Sequence, residues 1–266
     1  MNKLAFVFPG QGAQAVGMGK DFCEQYDVAR KLFAQADEAL GYSIKDMCFD
    51  GPAEDLKLTA NTQPAILTMS VIANEILKEH GVQPDVVGGH SLGEYSALVA
   101  ADVLDFQDAV LLVHKRGQFM QEAVPVGQGG MAAIIGLADE VIIDACEQAT
   151  RAAGEVQAVN FNCPGQTVIA GTNKGVEAAV ELLKEAGAKK AVILPVSAPF
   201  HSTLMKPAGI KLAAELDKVE IRDARIPVVS NYTGELEHTA AEIKANLVAQ
   251  ADHPVKWIAC VNAMKV

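Results

Sequence analysis

The sequence predicts an α/β protein, and three observations carry that reading. Short apolar runs alternate with stretches of helical periodicity from the N-terminus onward. Glycine- and proline-containing turns punctuate them. Half of the 266 residues are hydrophobic and 21% are charged, enough to bury a sizeable core and incompatible with a disordered chain.

Residues 4–8 form an apolar run closed by Pro9-Gly10, the pattern of a buried strand. Phe22, Tyr26, Ala29, Phe33, Ala36 and Leu40 recur at helical spacing and mark one face. Residues 64–80 read as a helix, 85–88 as a short strand, and 92–101 and 107–121 as two further helices. The segment 125–130 breaks the pattern. Beyond it come a strand at 131–137, a helix at 139–153, strands at 156–162 and 167–170 separated by Pro164-Gly165, a helix at 174–186 and a strand at 191–196. This βαββαβ order predicts a ferredoxin-like inserted subdomain over 127–197. The main domain, 1–126, resumes over 198–266 with a strand at 226–230 and helices near 240–250 and 254–264. No internal repeat or low-complexity tract interrupts the chain.

Composition removes several classes of function. The net charge is -11, and no Lys/Arg run exceeds the pairs Arg30-Lys31, Lys115-Arg116 and Lys189-Lys190, so nucleic acid is not an expected partner. The first apolar run ends too early for a signal peptide or a membrane span, and a cytoplasmic, membrane-free, monomeric protein is the expectation. Five scattered cysteines, without a C-x-x-C pair, read as reduced thiols rather than zinc ligands or a redox centre.

Gly89-His90-Ser91-Leu92-Gly93 is a G-x-S-x-G pattern set between an apolar strand and an amphipathic helix. A serine at such a turn projects its hydroxyl outward, and the Leu92 N–H faces a developing oxyanion. A glycine-rich turn with a helix-capping serine is the plainer alternative. Pro9-Gly10-Gln11-Gly12 lacks both the G-K-[ST] ending and the G-x-G-x-x-G spacing, so phosphate binding is poorly supported. The Gln11 N–H is placed to serve as second oxyanion donor if the first strand lies beside the elbow strand.

A serine hydroxyl needs a base. His201, in Pro199-Phe200-His201-Ser202 just after a strand, fits that position; His80 and His114 fall within helices, His238 and His253 in polar turns, and His90 points away as the chain neighbour of Ser91. No downstream carboxylate stands out as orienter, although Asp217, Glu220, Asp223, Glu235 and Glu237 qualify by position. A carbonyl is the other choice: Gln250 continues the stripe of Ile243 and Leu247, so its amide faces inward toward the imidazole. Arg116, three and four residues after Val113 and Leu112, lies on a buried helix face and requires an anion, either a structural carboxylate or that of a substrate.

Phe8-Pro9-Gly10-Gln11-Gly12, Gly89-His90-Ser91-Leu92-Gly93-Glu94, Arg116-Gly117, Asn160-Phe161-Asn162 and Pro199-Phe200-His201-Ser202, in this order, closely resemble malonyl-CoA:acyl carrier protein transacylases, from residue 3 to the end. The resemblance implies an α/β-hydrolase-like domain with a mostly parallel sheet and a ferredoxin-like insertion. It implies Ser91 as nucleophile, His201 as base, Arg116 as clamp for the malonyl carboxylate, Gln11 and Leu92 as oxyanion hole, Gln250 as histidine orienter, and Asn160 and Phe200 as cleft residues. The partners are then malonyl-CoA and acyl carrier protein, with no metal or prosthetic group. Carriers of this kind are acidic, so docking calls for a local basic patch, for which Lys189, Lys190 and Lys206 are candidates. Family chains continue past the helix near Trp257 into a further strand and a glycine-proline-glycine loop, which the resemblance places after Val266. A serine thioesterase or esterase is the competing enzyme, since the same elbow and base serve water, and a non-catalytic carrier-docking module is the third reading.

Overall fold

A computed structural model of the chain describes residues 3–196 and 198–265. Ser197, at the expected domain boundary, lies outside the described residues, as do 1, 2 and 266. The chain begins with β1 (Ala5–Phe8), α1 (Lys20–Gln25), α2 (Asp27–Leu40), α3 (Ile44–Asp50), α4 (Ala53–Lys57), α5 (Thr59–Glu79), β2 (Val86–Gly89), α6 (Leu92–Ala100) and α7 (Phe106–Glu122). It then enters a second layer: β3 (Gly129–Ile135), α8 (Asp139–Ala152), β4 (Val156–Cys163), β5 (Gln166–Thr172), α9 (Asn173–Glu185) and β6 (Lys190–Ile193). It returns through a 3-10 turn (Thr203–Met205), α10 (Lys206–Leu216), β7 (Val228–Val229), β8 (Leu236–Glu237), α11 (Ala240–Gln250) and α12 (Trp257–Ala263).

The fold is α/β with two four-stranded sheets. The first has the order β1-β2-β7-β8, parallel at β1/β2 (Ala5 opposite Val86) and β2/β7 (Val87 opposite Val228), with β8 antiparallel at its edge. The second has the order β4-β5-β3-β6 and is antiparallel throughout. The main core, with Phe33, Ile44, Leu67, Ile72, Val87, Leu98, Val113 and Leu247, gathers around α5, α6 and α7. A separate core of Ile134, Ile142, Ile169, Val180 and Leu183 seats α8 and α9 on the second sheet. No helix among the described residues is long and apolar enough to cross a membrane.

The structure differs from the sequence reading at four places. The face running from Phe22 to Leu40 belongs to two helices, because Tyr26 takes an extended conformation (φ -126°, ψ 127°) between them. The helix expected at 64 starts five residues earlier, at Thr59, and carries Pro64 in its interior. Proline cannot donate to the Ala60 carbonyl, and His114 Nδ1–H takes that place at 2.8 Å. The short helices α3 and α4, together with α10, escaped the periodicity reading, and the strand expected at 226–230 is reduced to two residues.

β4 carries irregularities between Ala158 and Asn160 and between Phe161 and Cys163. The chain around Val255 fills the gap: Val255 N–H donates to the Val159 carbonyl at 2.8 Å, and Phe161 N–H donates to the Val255 carbonyl at 3.0 Å. Bulges of this kind re-aim a side chain, and here Asn160 lines the cleft between the two layers.

Candidate active site

β2 ends at Gly89 and α6 starts at Leu92, so the chain reverses within Ser91. Ser91 has φ 52° and ψ -106°, a conformation costly for a residue with a Cβ. The flanking glycines permit the approach this requires. A Cβ on Gly89 would lie 2.0 Å from the Gly93 carbonyl, and one on Gly93 would lie 2.2 Å from the Phe8 carbonyl oxygen. Asn231, fully buried just after β7, holds the turn from below. Its Oδ1 accepts from Ser91 N–H at 2.6 Å and its Nδ2 donates to the Gly89 carbonyl at 2.7 Å.

The Ser91 hydroxyl donates to His201 Nε2 at 2.7 Å. His201 Nδ1 donates to a carbonyl oxygen at 2.8 Å, which puts its proton on Nδ1 and leaves Nε2 as the basic nitrogen. That carbonyl belongs to the main chain of Gln250, which corrects the expectation that the side-chain amide holds the imidazole. Gln250 is the last residue of α11, and its carbonyl has no intrahelical donor. None of Asp217, Glu220, Asp223, Glu235 and Glu237 bonds His201; Glu237, for instance, is taken by Asn246 Nδ2 at 2.6 Å.

Burial, reinforced by the nearby Arg116 charge, pushes the His201 imidazole down to about 3. A depressed value keeps the imidazole neutral, and so able to accept a proton, as pH falls well past its ordinary 6.5. The kcat/KM for Ser91 acylation, which reports the free enzyme, is therefore expected to stay level from about pH 7.5 down to about pH 5. An acid limb with its midpoint at the ordinary imidazole value would show a solvated base instead.

Arg116 reaches the same point from α7, 2% exposed. Its Nη1 donates to Gln63 Oε1 at 2.7 Å, and its Nη2 to Gln250 Oε1 at 2.8 Å and to Ser91 Oγ at 3.2 Å. Its guanidinium carbon lies 5.3 Å from the Tyr95 ring centroid. Its hydrogen-bond partners among the described residues, Gln63, Gln250 and Ser91, are all neutral, and Nε–H has none. Of the two anions the sequence left open, a structural carboxylate stands only at one remove: Glu94 acts on the Arg116 charge but reaches it through the Gln250 carboxamide, so no direct carboxylate partner among the described residues occupies the fork. A buried cation beside a nucleophile, held by two amide oxygens and the serine hydroxyl, is an open site for an anionic group.

These residues meet in a cleft of about 140 Å³ that Gln11, Leu92, Met120, Met131, Asn160 and Phe200 also line. The Leu92 N–H is the first of α6 and so has no intrahelical acceptor, as an oxyanion donor requires. Gln11 follows β1, directly beside β2, and its side chain rests on Thr59 Oγ1 at 3.3 Å. His90 turns from Ser91 to Asn162 Oδ1, 2.8 Å from its Nε2, which joins the elbow to β4. Lys189 and Lys190 are not brought to the cleft: Lys190 pairs with Ile135, four strand residues and roughly 13 Å along β3 from Met131. Lys206, exposed at the start of α10, is nearer the His201 loop. Sequence reasoning gave no role to Gln63, Glu94, Tyr95 or Asn231. Glu94 stood inside the elbow motif as the available signal; Gln63 lay just outside the expected helix.

The family model described as "acyl transferase domain" matches residues 5–262. The chain belongs to this family. Among acyltransferase relatives, the malonyl CoA-acyl carrier protein transacylase of Bacillus subtilis (strain 168) is 52% identical over 264 residues, 99% of this chain and 83% of that protein. A solved acyl carrier protein S-malonyltransferase from Vibrio cholerae superposes with a TM-score of 0.96 at 51% identity, covering 99% of this chain and 86% of the other. A type II PKS acyl-carrier protein in complex with its malonyl-transacylase gives 0.96 at 45% identity, covering 99% and 85%.

Proposed function

We propose that this acyltransferase moves the malonyl group from malonyl-CoA to the phosphopantetheine thiol of acyl carrier protein through a malonyl-serine intermediate, supplying fatty acid chain elongation. The observation that carries the substrate choice is Arg116: a buried guanidinium 3.2 Å from the nucleophile with only neutral partners. Malonyl differs from acetyl by a terminal carboxylate, and a bidentate guanidinium offsets the desolvation of that group.

In this reading the Ser91 hydroxyl proton passes to His201 Nε2 as Oγ attacks the thioester carbonyl. The Gln11 and Leu92 N–H groups receive the oxyanion. Collapse expels the coenzyme A thiolate, which takes the proton from His201. The carrier thiol then gives its proton to His201 and attacks the serine ester; collapse expels Ser91 Oγ, which takes that proton back from His201 and restores both groups. Asn160 and Phe200 flank the acyl group, and Lys206, near the His201 loop, is the basic residue assigned to the acidic carrier beside the cleft, with Lys189 and Lys190 able to meet it only at a distance from the mouth. We further read residues 1–126 with 198–266 as an α/β-hydrolase-like domain and 127–197 as a ferredoxin-like insertion, on the support of the parallel β1/β2/β7 core and the βαββαβ order of the second layer.

Incubation with labelled malonyl-CoA tests the activity. The expected result is one equivalent of label stable on the protein, leaving only when carrier is added. Rapid release of free malonate without carrier would favour the thioesterase reading, and absence of label would end the enzymatic one.

A further inference from the structure

Glu94, three residues after the nucleophile, is fully buried on α6. Its Oε2 accepts two hydrogen bonds, from Asn231 N–H at 3.0 Å and from Gln250 Nε2 at 2.8 Å. Gln250 Nε2 spends its other hydrogen on the Ser91 carbonyl at 3.0 Å. With both its hydrogens on acceptors, the carboxamide has its oxygen left for Arg116 Nη2. Turned over, it would set its NH₂ against the guanidinium and its oxygen against both Glu94 Oε2 and the Ser91 carbonyl. Burial and the neighbouring Glu237 carboxyl push the Glu94 carboxyl up. Oε1 has no partner, so a proton there leaves Oε2 accepting as before.

We infer that Glu94 is a positioning residue for acyl selectivity: by accepting from Gln250 Nε2 it fixes the carboxamide that orients Arg116, and so sets the preference for a carboxylate-bearing acyl group over a neutral one. The inference rests on the malonyl reading above and extends it to a residue that touches neither substrate nor Ser91 Oγ.

The test compares kcat/KM for Ser91 acylation by malonyl-CoA and by acetyl-CoA. Wild-type protein that malonyl-CoA does not acylate would sink the activity reading itself, before any variant is made. Given that activity, Glu94→Gln keeps an acceptor at the Oε2 position and should hold the malonyl-to-acetyl ratio within about threefold of wild type. Glu94→Met, similar in volume but unable to accept, should lower the ratio about tenfold or more, the loss falling on malonyl KM. An unchanged ratio in Glu94→Met, an equal loss with both substrates, or a collapsed ratio in Glu94→Gln overturns the inference. If Glu94→Met does not fold, Gln250→Met decides: it removes the oriented amide and keeps the carbonyl that serves His201. The same tenfold loss of ratio supports the inference, and a wild-type ratio there overturns it.

Discussion

Replacing Arg116 with Ala is expected to raise the barrier to Ser91 malonylation by roughly 2 to 5 kcal/mol while leaving, or improving, acylation by acetyl-CoA. The asymmetry follows from the partners. In the wild-type cleft the guanidinium is fixed by Gln63 and Gln250, and among the described residues no carboxylate bonds it directly. In the proposed clamp the malonyl carboxylate supplies the missing charge, and without Arg116 it would be buried unpaired. An acetyl group asks nothing of that position. Lysine should rescue little, because a point charge on a flexible stem cannot bond Gln63 and Gln250 while presenting a fork to a carboxylate. Removing the Arg116 charge also relieves part of what holds the His201 imidazole down, so any acid limb in the variant should move to higher pH. Retention of the wild-type preference for malonyl over acetyl in Arg116→Ala would overturn the clamp assignment.

The larger loss is expected at Ser91 and His201. Ser91→Ala should abolish covalent labelling by malonyl-CoA, since the cleft holds no other side chain placed both at the oxyanion donors and against a base. His201→Ala should slow both half-reactions by about a hundredfold or more, the usual size of general-base catalysis. Intact-protein mass spectrometry after brief exposure to malonyl-CoA reads the first and single-turnover kinetics the second. A full malonyl adduct on Ser91→Ala would refute the assignment of the nucleophile.

The parts of this site that the sequence disclosed are those whose geometry is local. The Ser91 turn follows from two glycines and a strand-helix junction within five residues, and the buried side of α7 that carries Arg116 follows from Leu112 and Val113. Gln250 was half legible. The stripe of Ile243 and Leu247 places its side chain inward, but which atom faces His201 depends on where α11 ends against the His201 loop. Gln63 and Asn231 act through contacts across 53 and 140 residues of chain, and no periodicity within either segment encodes such a meeting. The start of α5 was hidden for a related reason. Pro64 reads as a helix boundary until a histidine from another helix supplies the missing donor. The layer order was visible because the apolar runs of β3, β4 and β5 are separated by clear turns, whereas the short helices after α2 bury too few residues to show a period.

The seam at Val255 divides the second layer into a part whose length is free to vary and a part whose length is not. Val255 grips β4 on both sides of Asn160, through the Val159 carbonyl and the Phe161 N–H. One residue gained or lost between those grips would turn Asn160 to the opposite face, since successive strand side chains alternate. The turn at Pro164-Gly165 and the connection after α9 lie away from the seam, and extra residues there would only lengthen exposed loops. Chains of this architecture are thus expected to accumulate insertions and deletions along the outer rim of the layer while keeping a constant residue count beside the cleft.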